Sequence, residues 1–78
     1  MLEEVTLIAI KRVIAWQIEQ AMEQRKLTKK AMAKEMKTSR SSLDRLLDPN
    51  NPSVTLDTID RAARVVGKRV RVELVDAI

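Results

Sequence analysis

Between Leu27 and Leu47 the chain reads LTKKAMAKEMKTSRSSLDRLL, and Lys29, Lys30, Ser39, Arg40, Ser41, Ser42, Asp44 and Arg45 are the side chains there with chemistry to offer. Ammonium and guanidinium donors interleaved with hydroxyls suit an oxygen-rich anion, and the guanidinium adds a planar fork that a lysine lacks. Acid–base or covalent chemistry is poorly served. The chain has no Cys, His, Tyr or Phe, which removes most general bases, metal ligands and activated nucleophiles. No carboxylate pair or phosphate loop falls at a working spacing, and the single Gly67 cannot build a glycine-rich loop. Binding is therefore expected rather than catalysis, with no metal or cofactor.

The charge is unevenly placed. Residues 25–45 hold eight basic and two acidic side chains, against two and four before them and five and five after them. The net charge of +4 is thus concentrated in one segment, the electrostatic footprint of a nucleic-acid binder. A lysine-rich solvated surface would give the same count, so the elements that carry these residues have to decide.

Seventy-eight residues make one small domain, close to the size at which a lone core needs help from oligomerisation. No apolar run approaches the ~18 residues of a membrane span, and the acidic N-terminus is the reverse of a secretory signal, so a cytoplasmic location is expected.

Four helices are predicted. From Thr6 to Arg25, Leu7, Ile10, Ile14, Ile18, Ala21 and Met22 share one face at helical spacing. Val5, Ala9, Val13 and Trp16 form a second apolar stripe roughly opposite, which either folds over the core edge at Trp16 or meets another chain. Val5 to Ile10 is also rich in β-branched residues and could form a strand instead. Thr28 is an N-cap for a helix reaching about Glu35, with Leu27 placed as a staple onto Met32. Ser39 caps the next, with Leu43, Leu46 and Leu47 inward, and the DPNNP run from Asp48 to Pro52 ends it. Thr55 caps a fourth, whose inward face is Leu56, Ile59, Ala63 and Val66 and whose left-handed stop is Gly67.

Beyond Gly67, Val70, Val72 and Leu74 alternate with charged residues, the period of a strand. A strand needs a neighbour for its amides and carbonyls, either residues 5–10 of the same chain or the same strand of a second copy. The second is preferred because the helical pattern at the N-terminus is the longer one, and it makes the protein a homodimer. The expected organisation is a helical DNA-binding domain over 1–67, with its helix-turn-helix at 28–47, and a dimerising strand and tail over 68–78.

Leu27 to Leu47 resembles the Xre/Cro-type helix-turn-helix, a phage-repressor-like family. Leu27, Thr28, Lys29, Lys30, Met32, Ala33, Met36, Ser39 and Leu43 meet the family's pattern without gaps, and the resemblance covers about Ile14 to Gly67. It departs at Lys37, where the family usually has glycine, and at Lys29, usually glutamine. The resemblance implies a mostly α bundle of four to five helices. It places Arg40, Ser41, Asp44 and Arg45 in the major groove and Ser39 and Ser42 near its backbone edges. Lys29 and Lys30, at a helix start, would clamp a phosphate. The DPxNPS-like loop and basic terminal strand are similar to HigA-like antitoxins. That likeness implies repression of the protein's own operon through a palindrome in double-stranded DNA. It also implies neutralisation of a small RelE-type toxin, with Val5, Ala9, Val13 and Trp16 as the candidate toxin face. A stand-alone or phage-type repressor is the alternative, as is a protein-interaction module of the same fold that has lost DNA binding.

Overall fold

A computed structural model describes residues 4–51, 53–71 and 73–76, with side chains from residue 8 onward. Four helices follow one another: α1 (Glu4–Gln24), α2 (Lys29–Met36), α3 (Arg40–Leu47) and α4 (Leu56–Val65). Residues 5–10 are helical, which removes them as a strand partner for the C-terminus.

The helix starts follow the capping residues. The hydroxyls of Thr28, Ser39 and Thr55 accept from the amides of Ala31, Ser42 and Thr58 at 3.1, 3.1 and 3.2 Å. Each satisfies one orphan donor of a short helix, worth about 1 kcal/mol. Three helix ends share another device, a left-handed residue that lets the next amide reach back. Lys26, Lys37 and Gly67 have φ of 55°, 56° and 72°. Leu27, Thr38 and Lys68 then donate to the carbonyls of Met22, Ala33 and Ala63 at 2.9, 3.0 and 2.7 Å. Lys37 therefore makes the turn that glycine usually makes, accepting the crowding of a Cβ against its own carbonyl.

α3 ends differently. Its cap, Asp48, is extended at ψ 113°, because the residue before Pro49 is sterically barred from the helical region. No left-handed closure follows. Asp48 instead turns the chain with its own carboxylate, which accepts from the Asn50 amide at 2.9 Å.

The core joins α2, α3 and α4 to the second half of α1. Met32, Leu43, Leu46 and Ala62 are fully buried, with Ile18, Met22, Met36, Leu47, Ile59 and Val66 around them. Ala33 and Ala62 are small where helices approach closely. Leu27 and Val54, the residues before two N-caps, are partly buried against this cluster as hydrophobic staples would be.

Two expectations need correcting. The inward face of α1 runs through Lys11, Ala15, Ile18 and Met22, so Ile10 lies off it and is 52% exposed. The inward face of α4 includes Ala62, leaving Leu56 62% exposed beside the N-cap. Among the described residues none is in a strand. The segment after Gly67 runs on without regular pairing, as a strand with no neighbour must. Val70 is half-buried against the core and Leu74 is fully exposed, so the two do not share one free face; Val72 lies outside the described residues.

Candidate nucleic-acid interface

The helix-turn-helix brings the charged residues of two elements to one surface. Lys29 and Lys30 occupy the first turn of α2 and are exposed; no acidic residue shares that turn. A helix start with free amides and two lysines offers an anion both dipole and charge. Arg40, Ser41, Asp44 and Arg45 lie exposed on the outer face of α3, opposite the buried Leu43, Leu46 and Leu47.

Asp44 organises this surface. Its Oδ1 receives the Nε of Arg40 at 3.4 Å, one turn earlier on the same helix, and lies 4.0 Å from the Nζ of Lys29 on α2. All three side chains are about half exposed, so each pair contributes a few tenths of a kcal/mol to stability. The larger effect is geometric, because Asp44 holds two cations from different helices beside each other. Ser39 and Ser42 are already engaged: the Ser39 hydroxyl accepts from the Ser42 amide and donates to the Ser42 hydroxyl at 3.0 Å. Each keeps a lone pair for a further contact.

A shallow cleft where α3 meets the start of α4 adds residues that sequence reasoning passed over. It is lined by Ser42, Arg45, Ser53, Val54, Thr55 and Thr58. The Thr55 and Thr58 hydroxyls lie 3.0 Å apart at the start of α4, so a second helix N-terminus opens beside Arg45. The hydroxyl-rich run from Ser53 to Thr58 was the available signal.

The other residue missed is buried. Lys11 is 4% exposed and its Nζ donates to the carbonyls of Arg45, Asp48 and Asn51 at 3.0, 3.1 and 2.7 Å. Three acceptors match the three donors of an ammonium. Burial pushes the Lys11 amine below the ordinary lysine range, with the nearby Asp48 carboxylate opposing the shift. In the sequence it sits at i, i+4, i+7 and i+11 with Ala15, Ile18 and Met22. A cation inside an apolar stripe, together with a helix that ends at proline, was the clue.

Of the stripe opposite the core, Ala9, Val13 and Trp16 are exposed, Trp16 by 62%; the Val5 side chain lies outside the described residues. Trp16 does not fold down over the core. It borders an open groove with Gln17, Gln20, Gln24, Lys68 and Arg69. Among the described residues no helix is long and apolar enough to cross a membrane, and no group of acidic residues is placed to hold a metal.

The model of the Cro/C1-type HTH DNA-binding domain matches residues 17–71, more than two thirds of the chain. The chain belongs to this family. The Cro/C1-type domain thus comprises the second half of α1, all of α2, α3 and α4, and the start of the tail, with Lys29, Lys30 and the outer face of α3 within it. Neither a curated protein nor a solved structure matches the chain. Residues 4–16 of α1, which carry Lys11 and the exposed stripe, lie outside the matched span.

Proposed function

We propose that the chain is a sequence-specific transcriptional repressor that binds a palindromic operator as a homodimer. The observation that carries this reading is the outer face of α3. There Arg40, Ser41, Asp44 and Arg45 stand exposed in a row while the helix's other side is anchored by Leu43, Leu46 and Leu47. Arg40 and Arg45 donate bidentate bonds to guanine O6 and N7. Asp44 orients Arg40 and accepts from a cytosine amino group. Lys29, Lys30, Ser39 and Ser42 fix the register by holding phosphates, with the α4 start beside Arg45 as a further contact.

A module that kept the fold without DNA binding is the weaker reading, because it gives no reason for arginines on the exposed face of α3. Pairing of two chains places two α3 helices about one helical turn of DNA apart. Leu74 is fully exposed, and the alternating sequence from Lys68 suits pairing across a two-fold axis. Val70, half-buried in its own chain, steadies that segment, and in the sequence Val72 continues the alternation.

Within this class an antitoxin that represses its own operon is favoured over a stand-alone repressor by one feature. The stripe of Ala9, Val13 and Trp16 on α1, continued in sequence by Val5, leaves neighbouring apolar side chains in solvent on one face, as a docking surface does. A small toxin of the RelE type is the partner this reading assigns to it.

Selection of binding sequences from a random duplex pool tests the whole reading. The expected product is a palindrome with half-sites 10 to 10.5 base pairs apart, about one turn of B-DNA. Recovery of unrelated duplexes with steep salt dependence would reduce the activity to charge-driven, non-specific binding.

A further inference from the structure

α3 is the helix that reads the bases in the function proposed above, and its carboxyl end lacks the left-handed closure of the other three helices. Pro49 forces Asp48 into extended backbone, so no left-handed residue returns an amide to the last carbonyls, as happens after α1, α2 and α4. The Asn51 amide reaches the Asp48 carbonyl at 3.2 Å, whereas Pro49, four residues after Arg45, has no N–H to offer the Arg45 carbonyl. A further donor comes from another helix. Lys11 of α1 reaches the carbonyl of Arg45 in the last turn of α3, of Asp48 at its cap and of Asn51 in the following loop.

We propose that Lys11 is a positioning residue for DNA recognition, an ammonium that caps the carboxyl end of the recognition helix from α1 and so fixes where Arg40 and Arg45 point. The inference rests on α3 being the reading helix. Lys11 touches no base or phosphate, because it is buried beneath the loop it holds. Its charge is placed at the negative end of the α3 dipole, where a cation is favoured. One bond reaches the carbonyl of Arg45, a residue whose own side chain is among those offered to DNA, so slack at Lys11 is transmitted to that side chain through its backbone. The next residue adds a second tie: the Arg12 guanidinium donates to Asn50 Oδ1 at 2.8 Å on the same loop. Both residues lie in the part of α1 that precedes the matched span. A loosely held recognition helix still attracts the backbone by charge and loses the register that distinguishes sequences.

The test is Lys11→Met, which keeps the length and apolar stem and removes the donors. Binding is compared on a duplex selected by the wild-type chain and on a scrambled duplex, at a temperature where circular dichroism shows both proteins folded. Affinity for the selected duplex should fall by about tenfold, with less than about twofold change on the scrambled one and an unchanged salt slope. Equal losses on both duplexes, or full retention of discrimination by the folded variant, overturns the proposal. Where Lys11→Met does not fold, amide hydrogen exchange on the wild-type chain decides. The amides of Leu46 and Leu47 should open only with the α1 core, and their exchange through a separate, cheaper opening overturns the brace. A wild-type chain with no duplex preference would sink the DNA reading itself, whereas a preference that survives Lys11→Met sinks only this inference.

Discussion

On the surface proposed to face DNA, Asp44 is an unusual residue, since a carboxylate repels phosphate. Its replacement by asparagine separates two effects. Asp44 lies 3.4 Å from Arg40 Nε and 4.0 Å from Lys29 Nζ, and all three groups are about half exposed. At a high dielectric each pair is worth about 1 kcal/mol of Coulomb energy, most of which is offset in the free protein by side-chain entropy and solvation. Loss of Asp44 should therefore change stability by less than about 1 kcal/mol. On DNA the balance differs, because both cations are released to phosphates and one repulsive charge disappears. Affinity of Asp44→Asn for a scrambled duplex should rise by about 1 to 2 kcal/mol, roughly 5- to 30-fold, and its salt slope should steepen by about one unit. Discrimination should fall at the same time, since Arg40 is no longer held on one side. Fluorescence anisotropy on selected and scrambled duplexes at several salt concentrations reads both quantities. Weaker binding of Asp44→Asn to the scrambled duplex would refute the idea that Asp44 restrains its neighbours.

Other perturbations follow from the fold. Lys37→Gly should stabilise the domain by about 0.5 to 1 kcal/mol, since relief of a left-handed Cβ exceeds the extra chain entropy of glycine; a lower midpoint in thermal melts would contradict that. Lys26→Gly, at φ 55°, should do the same. Leu43→Ala, at a fully buried site, should cost about 2 to 5 kcal/mol in denaturant unfolding, and Leu56→Ala, at an exposed one, less than about 1 kcal/mol. Similar losses at the two sites would show that the core is drawn wrongly. Trp16→Ala should leave the melting of a dilute monomer within about 1 kcal/mol of wild type and reduce association with a partner chain, as measured by sedimentation with a co-expressed neighbour. Unchanged association would remove Trp16 from any interface.

Local chemistry made much of this fold legible. Thr28, Ser39 and Thr55 each announced a helix start by residue type, and each caps one. Leu43, Leu46 and Leu47 were placed by their spacing on an isolated, strongly amphipathic helix. α1 was harder to orient, because apolar residues on two sides give periodicity no single answer and the true inward face contains a lysine. Only the position of α3's end, set by Pro49, explains why a cation belongs there. Leu56 looked inward by spacing, yet it is the first residue of α4 and stands exposed beside the N-cap. The expected terminal strand is absent among the described residues, because sequence alternation cannot supply the hydrogen-bond partner a strand presumes. The candidate DNA surface was readable in its residues, Lys29, Lys30, Arg40 and Arg45. The coupling of Lys29 to Arg40 through Asp44 required the crossing of two helices that only the folded chain displays.

The central claim is that the exposed arginines of α3 read bases rather than merely supply charge. Anisotropy titrations of Arg40→Ala against a selected duplex and its scrambled counterpart, at matched salt, test it most directly. A loss of about 1 to 3 kcal/mol confined to the selected duplex is predicted. An equal loss on both duplexes would contradict it, leaving Arg40 as one more phosphate contact.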